Sequence, residues 1–397
     1  MTSLPDWDIP ADFFPITPWE STPQDQEYWE DPDHGLKSLA DCGFTVAAFV
    51  RPSLLPECEK LGLKAIVAYD RANKKWAGLS DDDITSYVKK MVDDSEASSA
   101  VLGYLLTDEP GASQFQALGK AVDAVRKLAP GKLAYINLYP DYATINNTSM
   151  SQLETDSYEE YLERYVTEVK PQFISYDNYR VQMSNDLKIS TATVSYYRNL
   201  MAVRRVAQKH HLPFWNIVSG NRIRPYTPVP SPANLLFQAY TTLAAGGQGV
   251  TWFTYYQKGY AYAAVDKQGH KTQTWSYLKM VNEQLQVIGS HMRKLKNTGV
   301  YFTSPAPVAD LPLLPGQLVE SAQCEAPLMI GEFDGPDASK YIMVVNLSLE
   351  QSAKFQVTLM QQDAWPQQVS PADGSLVPLE QEVSLWLTAG QGALIKL

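Results

Sequence analysis

Short apolar runs alternate with amphipathic stretches through the first three quarters of the chain. Phe44-Thr-Val-Ala-Ala-Phe-Val50, Leu63-Lys-Ala-Ile-Val-Ala-Tyr-Asp70 and Val101-Leu-Gly-Tyr-Leu-Leu-Thr-Asp-Glu-Pro110 are nearly continuous in apolar residues. They are too short for buried helices and have the composition of strands covered on both faces. Runs at 13–20, 132–139, 173–179, 213–220 and 249–256 bring the predicted strands to eight. Helices are predicted between them. The stretch 113–129 sets Phe115, Leu118, Val122, Val125 and Leu128 on one face. Ser80 before Asp81, Asp82 and Asp83 reads as an N-cap followed by acids that suit the helix dipole. Gly43 and Gly131 stand where helices should stop. A last helix carries Trp275, Leu278, Val281, Leu285, Ile288, Met292 and Leu295 on one face.

Strand-then-helix repetition implies parallel pairing, and eight such units at this length predict an α/β fold, a TIM-type (β/α)8 barrel. A doubly wound open sheet is the alternative, but no Gly-x-Gly-x-x-Gly or P-loop motif supports it. The pattern changes after Gly299. Short alternating runs such as Tyr341–Leu347 and Phe355–Leu359, with a turn at Asp373-Gly374, predict a small antiparallel β-sandwich. The expected domains are therefore 1–298 and 299–397.

A net charge of −11 argues against a nucleic-acid backbone or an anionic membrane as partner. Three scattered cysteines give neither a disulfide framework nor a zinc site. No apolar run is long enough to span a membrane. The first residues lack the basic and apolar regions of a signal peptide, although a chain starting after a removed signal would look the same. A periplasmic or secreted location is expected, with the cytoplasm as the alternative. The oligomeric state is not specified by the sequence.

In a parallel barrel the strand C-termini converge on one mouth. Their tips carry Trp19 and Glu20, Asp70, Asp108 and Glu109, Asn137 and Tyr139, Asp177 and Asn178, then Trp252 and Tyr256. Carboxylates, carboxamides and aromatic rings thus share one rim. There is no histidine or cysteine cluster and no lysine at a strand tip, so no metal or cofactor is called for. Two carboxylates across a polar, aromatic cleft suit acetal hydrolysis: one protonates the leaving oxygen, and the other attacks the anomeric carbon or activates water. Carboxamides can hold sugar hydroxyls, and ring faces can stack on a pyranose.

Gly103-Tyr-Leu-Leu-Thr-Asp-Glu-Pro110 on the fourth strand, with Phe13-Phe-Pro-Ile16, Asn137-Leu-Tyr-Pro140, Ser175-Tyr-Asp-Asn-Tyr179, Pro213-Phe-Trp215 and Gly249-Val-Thr-Trp-Phe-Thr-Tyr-Tyr256, resembles the bacterial (β/α)8-barrel glycoside hydrolases. The resemblance implies an acid or acid/base Glu at the end of strand four, here Glu109. It implies an exo-acting glycosidase with a carbohydrate substrate. The sequence departs from the usual retaining members at strand seven, where Asn216-Ile-Val-Ser-Gly220 ends without a carboxylate. Asp177 is then the first choice for the second catalytic group. Trp19, Glu20, Asp70, Asp108, Asn137, Tyr139, Asn178, Trp252 and Tyr256 are expected to contact substrate. Asp108 and Glu109 are adjacent, so an extended strand would send them to opposite faces; only a broken strand end joins them. The missing strand-seven carboxylate also motivates a second reading, a non-catalytic glycan-binding protein. A Schiff-base lyase or aldolase lacks its lysine.

Overall fold

The computed structural model describes residues 7, 9–19, 29–69, 75–144, 152–361, 365–380 and 382–397. Eight strands and their helices follow in order: β1 (Ile16–Trp19), α1 (Leu36–Asp41), β2 (Val46–Val50), α2 (Leu55–Lys60), β3 (Lys64–Val67), α3 (Asp81–Asp93), β4 (Val101–Asp108), α4 (Phe115–Leu128), β5 (Leu133–Leu138), α5 (Tyr158–Arg164), β6 (Ile174–Asp177), α6 (Arg180–Met183), α7 (Ser190–Lys209), β7 (Phe214–Ser219), α8 (Pro232–Ala244), β8 (Val250–Phe253) and α9 (Gln273–Met292). All the strand pairs are parallel, in the order β1-β8-β7-β6-β5-β4-β3-β2. Thr45 closes the ring: its amide donates to the Ile16 carbonyl (3.1 Å), and its hydroxyl accepts from the Ile16 amide (2.8 Å). The sheet is therefore the expected (β/α)8 barrel.

Local chemistry sets the element ends. Ser80 caps α3 by accepting from the Asp83 amide (3.1 Å). Ser231 and Asn234 form a reciprocal capping box at α8. Gly43, in the left-handed region at φ 80°, ends the α1 turn. Strand residues alternate between two cores. Outward side chains meet the helices, while Trp19, Ala48, Ile66, Leu105, Tyr135, Phe173, Trp215, Ile217 and Phe253 fill the barrel.

The chain then builds β9 (Lys296–Phe302), β10 (Val319–Cys324), β11 (Leu328–Asp334), β12 (Lys340–Asn346), β13 (Ala353–Leu359), β14 (Gln367–Val369), β15 (Leu376–Pro378), β16 (Val383–Leu387) and β17 (Gly392–Lys396). They form a three-stranded sheet, β10-β13-β16, and a six-stranded one, β15-β14-β17-β12-β11-β9. All their pairings are antiparallel, and Ile330, Ile342, Val344, Phe355 and Val383 are among the residues filling the space between the sheets. The six-stranded sheet lies against the barrel so closely that a Cβ on Gly331 would stand 2.2 Å from the Ala244 carbonyl oxygen.

Candidate active site

The mouth of the barrel gathers three carboxylates, and two backbone irregularities in β4 bring them together. The β4–β5 register slips between Leu105 and Thr107, so Asp108 comes opposite Asn137. Such a bulge re-aims the side chains beyond it. Glu109 then takes a left-handed backbone (φ 44°) while its amide still donates to the Asn137 carbonyl (2.9 Å). A non-glycine residue in this region is strained and persists only when its surroundings fix it. The break joins neighbours that a regular strand would have separated.

Asp177 closes the group from the end of β6 and is 3% exposed. The Glu109 carboxyl hydrogen-bonds that of Asp177. Asn137 stands between the acids, its Nδ2 donating to Oδ1 of Asp108 (3.0 Å) and its side chain lying near enough to Asp177 to lower that group's pKa. The Ser175 hydroxyl donates to Oδ1 of Asn137 (3.2 Å) and lies 2.9 Å from the Tyr135 hydroxyl. The Tyr179 side chain lies near Asp177, and its amide donates to the Tyr142 hydroxyl (3.2 Å). Asp108 is thus held by a neutral donor, and Oδ1 of Asp177 has no hydrogen-bond partner among the described residues.

Burial, then the negative charge of Asp108, push the Glu109 carboxyl up to about 7, although its bond to Asp177 opposes this. Burial and the charges of Glu109 and Asp108 push Asp177 well above the usual carboxylate range. Two carboxyl groups in contact in a low-dielectric site do not ionise together, so the pair keeps a proton to neutral pH. A carboxylic acid that is still protonated near neutrality is what a general acid requires.

Five expected site residues, Asp108, Glu109, Asn137, Tyr139 and Asp177, lie together. Tyr139 is half-buried, and burial first, then the charges of Glu109, Asp108 and Asp177, raise its hydroxyl pKa. Trp19 is 4% exposed inside the barrel, edge-on to Phe49 (4.8 Å) and near Tyr135 (6.0 Å), so it floors the mouth. Trp252 points the other way. It is wholly buried among the helices, with Nε1 donating to Asn282 of α9 (2.8 Å), because strand alternation gives the inward position to Phe253. Asn178 also turns outward, donating to Asn199 of α7 (2.9 Å) and accepting from the Arg180 amide (3.0 Å). Tyr256 is half-buried against the strand–helix layer, its hydroxyl directed at the Lys267 carbonyl (3.4 Å). Glu20 and Asp70 lie outside the described residues. The inward tip of β7 is the buried Ser219, whose hydroxyl donates to the Asn221 carbonyl (3.2 Å).

Sequence reasoning missed Tyr135, Ser175 and Tyr179 as parts of this network. For Tyr135 and Ser175 the signal was there: each lies two residues from an expected site residue on its strand, and so on the same face, whereas Tyr179 lies beyond the end of β6.

No protein-family model matches the chain, and no curated protein matches it. Solved structures do. A catalytic mutant of a GH42 beta-galactosidase from G. stearothermophilus superposes with a TM-score of 0.66 at 8% identity, covering 97% of this chain and 98% of that one. A family 5 glycoside hydrolase from Bacteroides vulgatus gives 0.58 at 13% identity, over 97% and 89%. A family 51 alpha-L-arabinofuranosidase from Bifidobacterium longum gives 0.52 at 9%, over 99% and 97%. At these identities the likeness is one of fold: a (β/α)8 barrel carrying a β domain, the architecture of these glycoside hydrolases.

Proposed function

We propose that the protein is a glycosidase. Glu109 donates a proton to the leaving glycosidic oxygen, and Asp177 is the second carboxylate, attacking the anomeric carbon or activating water. The observation that carries this reading is the meeting of Glu109 and Asp177 beside Asp108 at the barrel mouth, where burial and mutual charge raise the pKa of both carboxyl groups. The barrel neighbours, themselves glycoside hydrolases, agree with it. Hydrolysis by two carboxylates calls for separations of roughly 5–5.5 Å for retention or 6.5–9.5 Å for inversion. A sugar entering the mouth therefore has to part the pair, and half-buried Glu109 has more freedom to turn than Asp177. Asn137 and Tyr139 are then placed to meet sugar hydroxyls. We take the substrate to be an oligosaccharide or polysaccharide attacked from its end.

The test is turnover of a panel of aryl glycosides and oligosaccharides, with product lengths read by chromatography. Glu109→Gln should lower kcat/KM by about 10²–10⁴-fold on any substrate accepted. Unchanged turnover in that variant overturns the assignment. A second reading, a glycan-binding protein without turnover, is favoured by one observation, the uncharged inward tip of β7 at Ser219. It predicts that sugar binds with equal affinity to the unaltered protein and to Glu109→Gln, and that neither is active.

A further inference from the structure

A cavity of about 400 Å³ opens at the end of the barrel opposite the carboxylates, where β7 and β8 begin. Arg204 from α7, Arg293 and Lys294 just after α9, and Lys296 at the start of β9 line it. Among the described residues no Asp or Glu does. This concentration of positive charge sits on a chain whose net charge is −11.

Among the described residues neither arginine is paired with a carboxylate. Arg204 Nε donates to Oδ1 of Asn297 (2.8 Å), and Arg293 Nη1 to Oε1 of Gln248 (3.2 Å). Those carboxamides are themselves anchored, Asn297 to the Ala244 carbonyl (3.3 Å) and Gln248 to that of Met292 (3.1 Å). They fix the guanidinium planes and leave the charge unspent. Among the described residues Nε of Arg293 is buried without a hydrogen-bond partner, and its guanidinium stands 5.4 Å from the Trp7 ring centre. Burial lowers the pKa of both groups, that of Arg204 to about 10. Four other arginines meet acids, Arg126, Arg164, Arg198 and Arg205, the last being the very next residue to Arg204 and pairing with Glu159. A desolvated guanidinium without a counter-ion is costly, so two in one cavity call for an anion.

We propose that this cavity binds a small phosphate monoester, the phosphate seated against Arg204 and Arg293 and the organic part lying beside Trp7. The fixed guanidinium forks suit phosphate oxygens. Four positive side chains match a dianion better than a single carboxylate. The volume is in the range of organic-ligand pockets, larger than a bare phosphate needs. The site stands at the far end of the strands from Glu109 and is independent of the proposed hydrolysis.

The experiment is isothermal titration calorimetry on the full chain at low salt with glucose 6-phosphate, inorganic phosphate and glucuronate. Glucose 6-phosphate should bind one per chain, tighter than about 1 mM, with inorganic phosphate and glucuronate each weaker by about tenfold or more. Arg204→Gln and Arg293→Gln should each weaken the ester by at least about tenfold, while Arg205→Gln leaves it unchanged. Melting temperatures without ligand report folding. Should an arginine variant fail to fold, the exposed pair Lys294→Gln and Lys296→Gln replaces it and should weaken binding in the same direction. Three outcomes overturn the proposal: no binding of the ester, binding indifferent to these substitutions, or equal binding of ester, free phosphate and glucuronate.

Discussion

Glu109 concentrates the chemistry of this protein in one residue, because its backbone and its proton are both unusual. The left-handed turn sets its carboxyl against Asp177, and the bulge before it sets Asp108 alongside. Asp108 then acts on Glu109 as a nearby negative charge that raises its pKa. An acid works only while protonated, so activity should fall as pH rises through about 7. Asp108→Asn removes the charge and should move that limb of the kcat/KM profile to lower pH; an unmoved limb would mean that Asp108 does not tune Glu109. Stability carries the same sign. A carboxyl raised in the folded state binds more protons than in the unfolded chain, so its contribution is fully present below the unfolded pKa and is lost as pH rises through the folded one. Denaturation midpoints of the unaltered protein should therefore decline between about pH 4.5 and 7, and Glu109→Gln should flatten that decline. Both carboxylates were legible as strand tips. Their meeting was not, because neither a bulge nor a left-handed residue is encoded by a residue type: nothing in Leu105-Leu-Thr-Asp-Glu109 demands φ 44° at a glutamate.

Among the elements, strands covered on both faces and capped helices were readable because each carries a local chemical signal. Ser80 and Ser231 cap helices whose starts they announce, and β4 ends where its apolar run meets carboxylates. Facing was less readable. Trp252 looks like a sugar platform until its strand is counted by twos, when Phe253 takes the inward place. Several strands of the C-terminal sandwich, such as β14 and β15, are three residues long and too short to show any period. β11 shows what such elements need instead. Its Glu332 is fully buried and accepts from the amides of Gln317, Leu318 and Val319 (2.9–3.0 Å). It thereby pins the turn entering β10. Glu332→Leu fits the volume but strands the three amides, and each charge-assisted bond of this kind contributes about 1.5–3 kcal/mol. A loss of about 3 kcal/mol or more is expected in chemical denaturation; a loss under about 1 kcal/mol would show that water replaces the carboxylate without cost.

Across the whole molecule, barrel and sandwich share one core. Met329, Phe333, Met343, Val345 and Leu394 of the six-stranded sheet belong to the same buried cluster as Phe237, Tyr240 and Leu243 of α8. Glycines permit the approach: a Cβ at Gly331 would meet the Ala244 carbonyl at 2.2 Å, and one at Gly390 the Ala233 carbonyl at 2.1 Å. Gly390 also holds φ 71°, a conformation that other residues adopt at a cost. Two units joined through a continuous apolar core lose their separate transitions, since opening either exposes the other's buried face. Calorimetry should therefore show a single endotherm, with calorimetric and van't Hoff enthalpies in agreement. Gly331→Ala forces the sheet off α8 and tests this directly. It should lower the melting temperature of the whole molecule, by several degrees for a loss of a few kcal/mol. If the substitution instead splits the endotherm, leaving the barrel transition where it was, the sandwich is an appended module and the shared core does not couple the two.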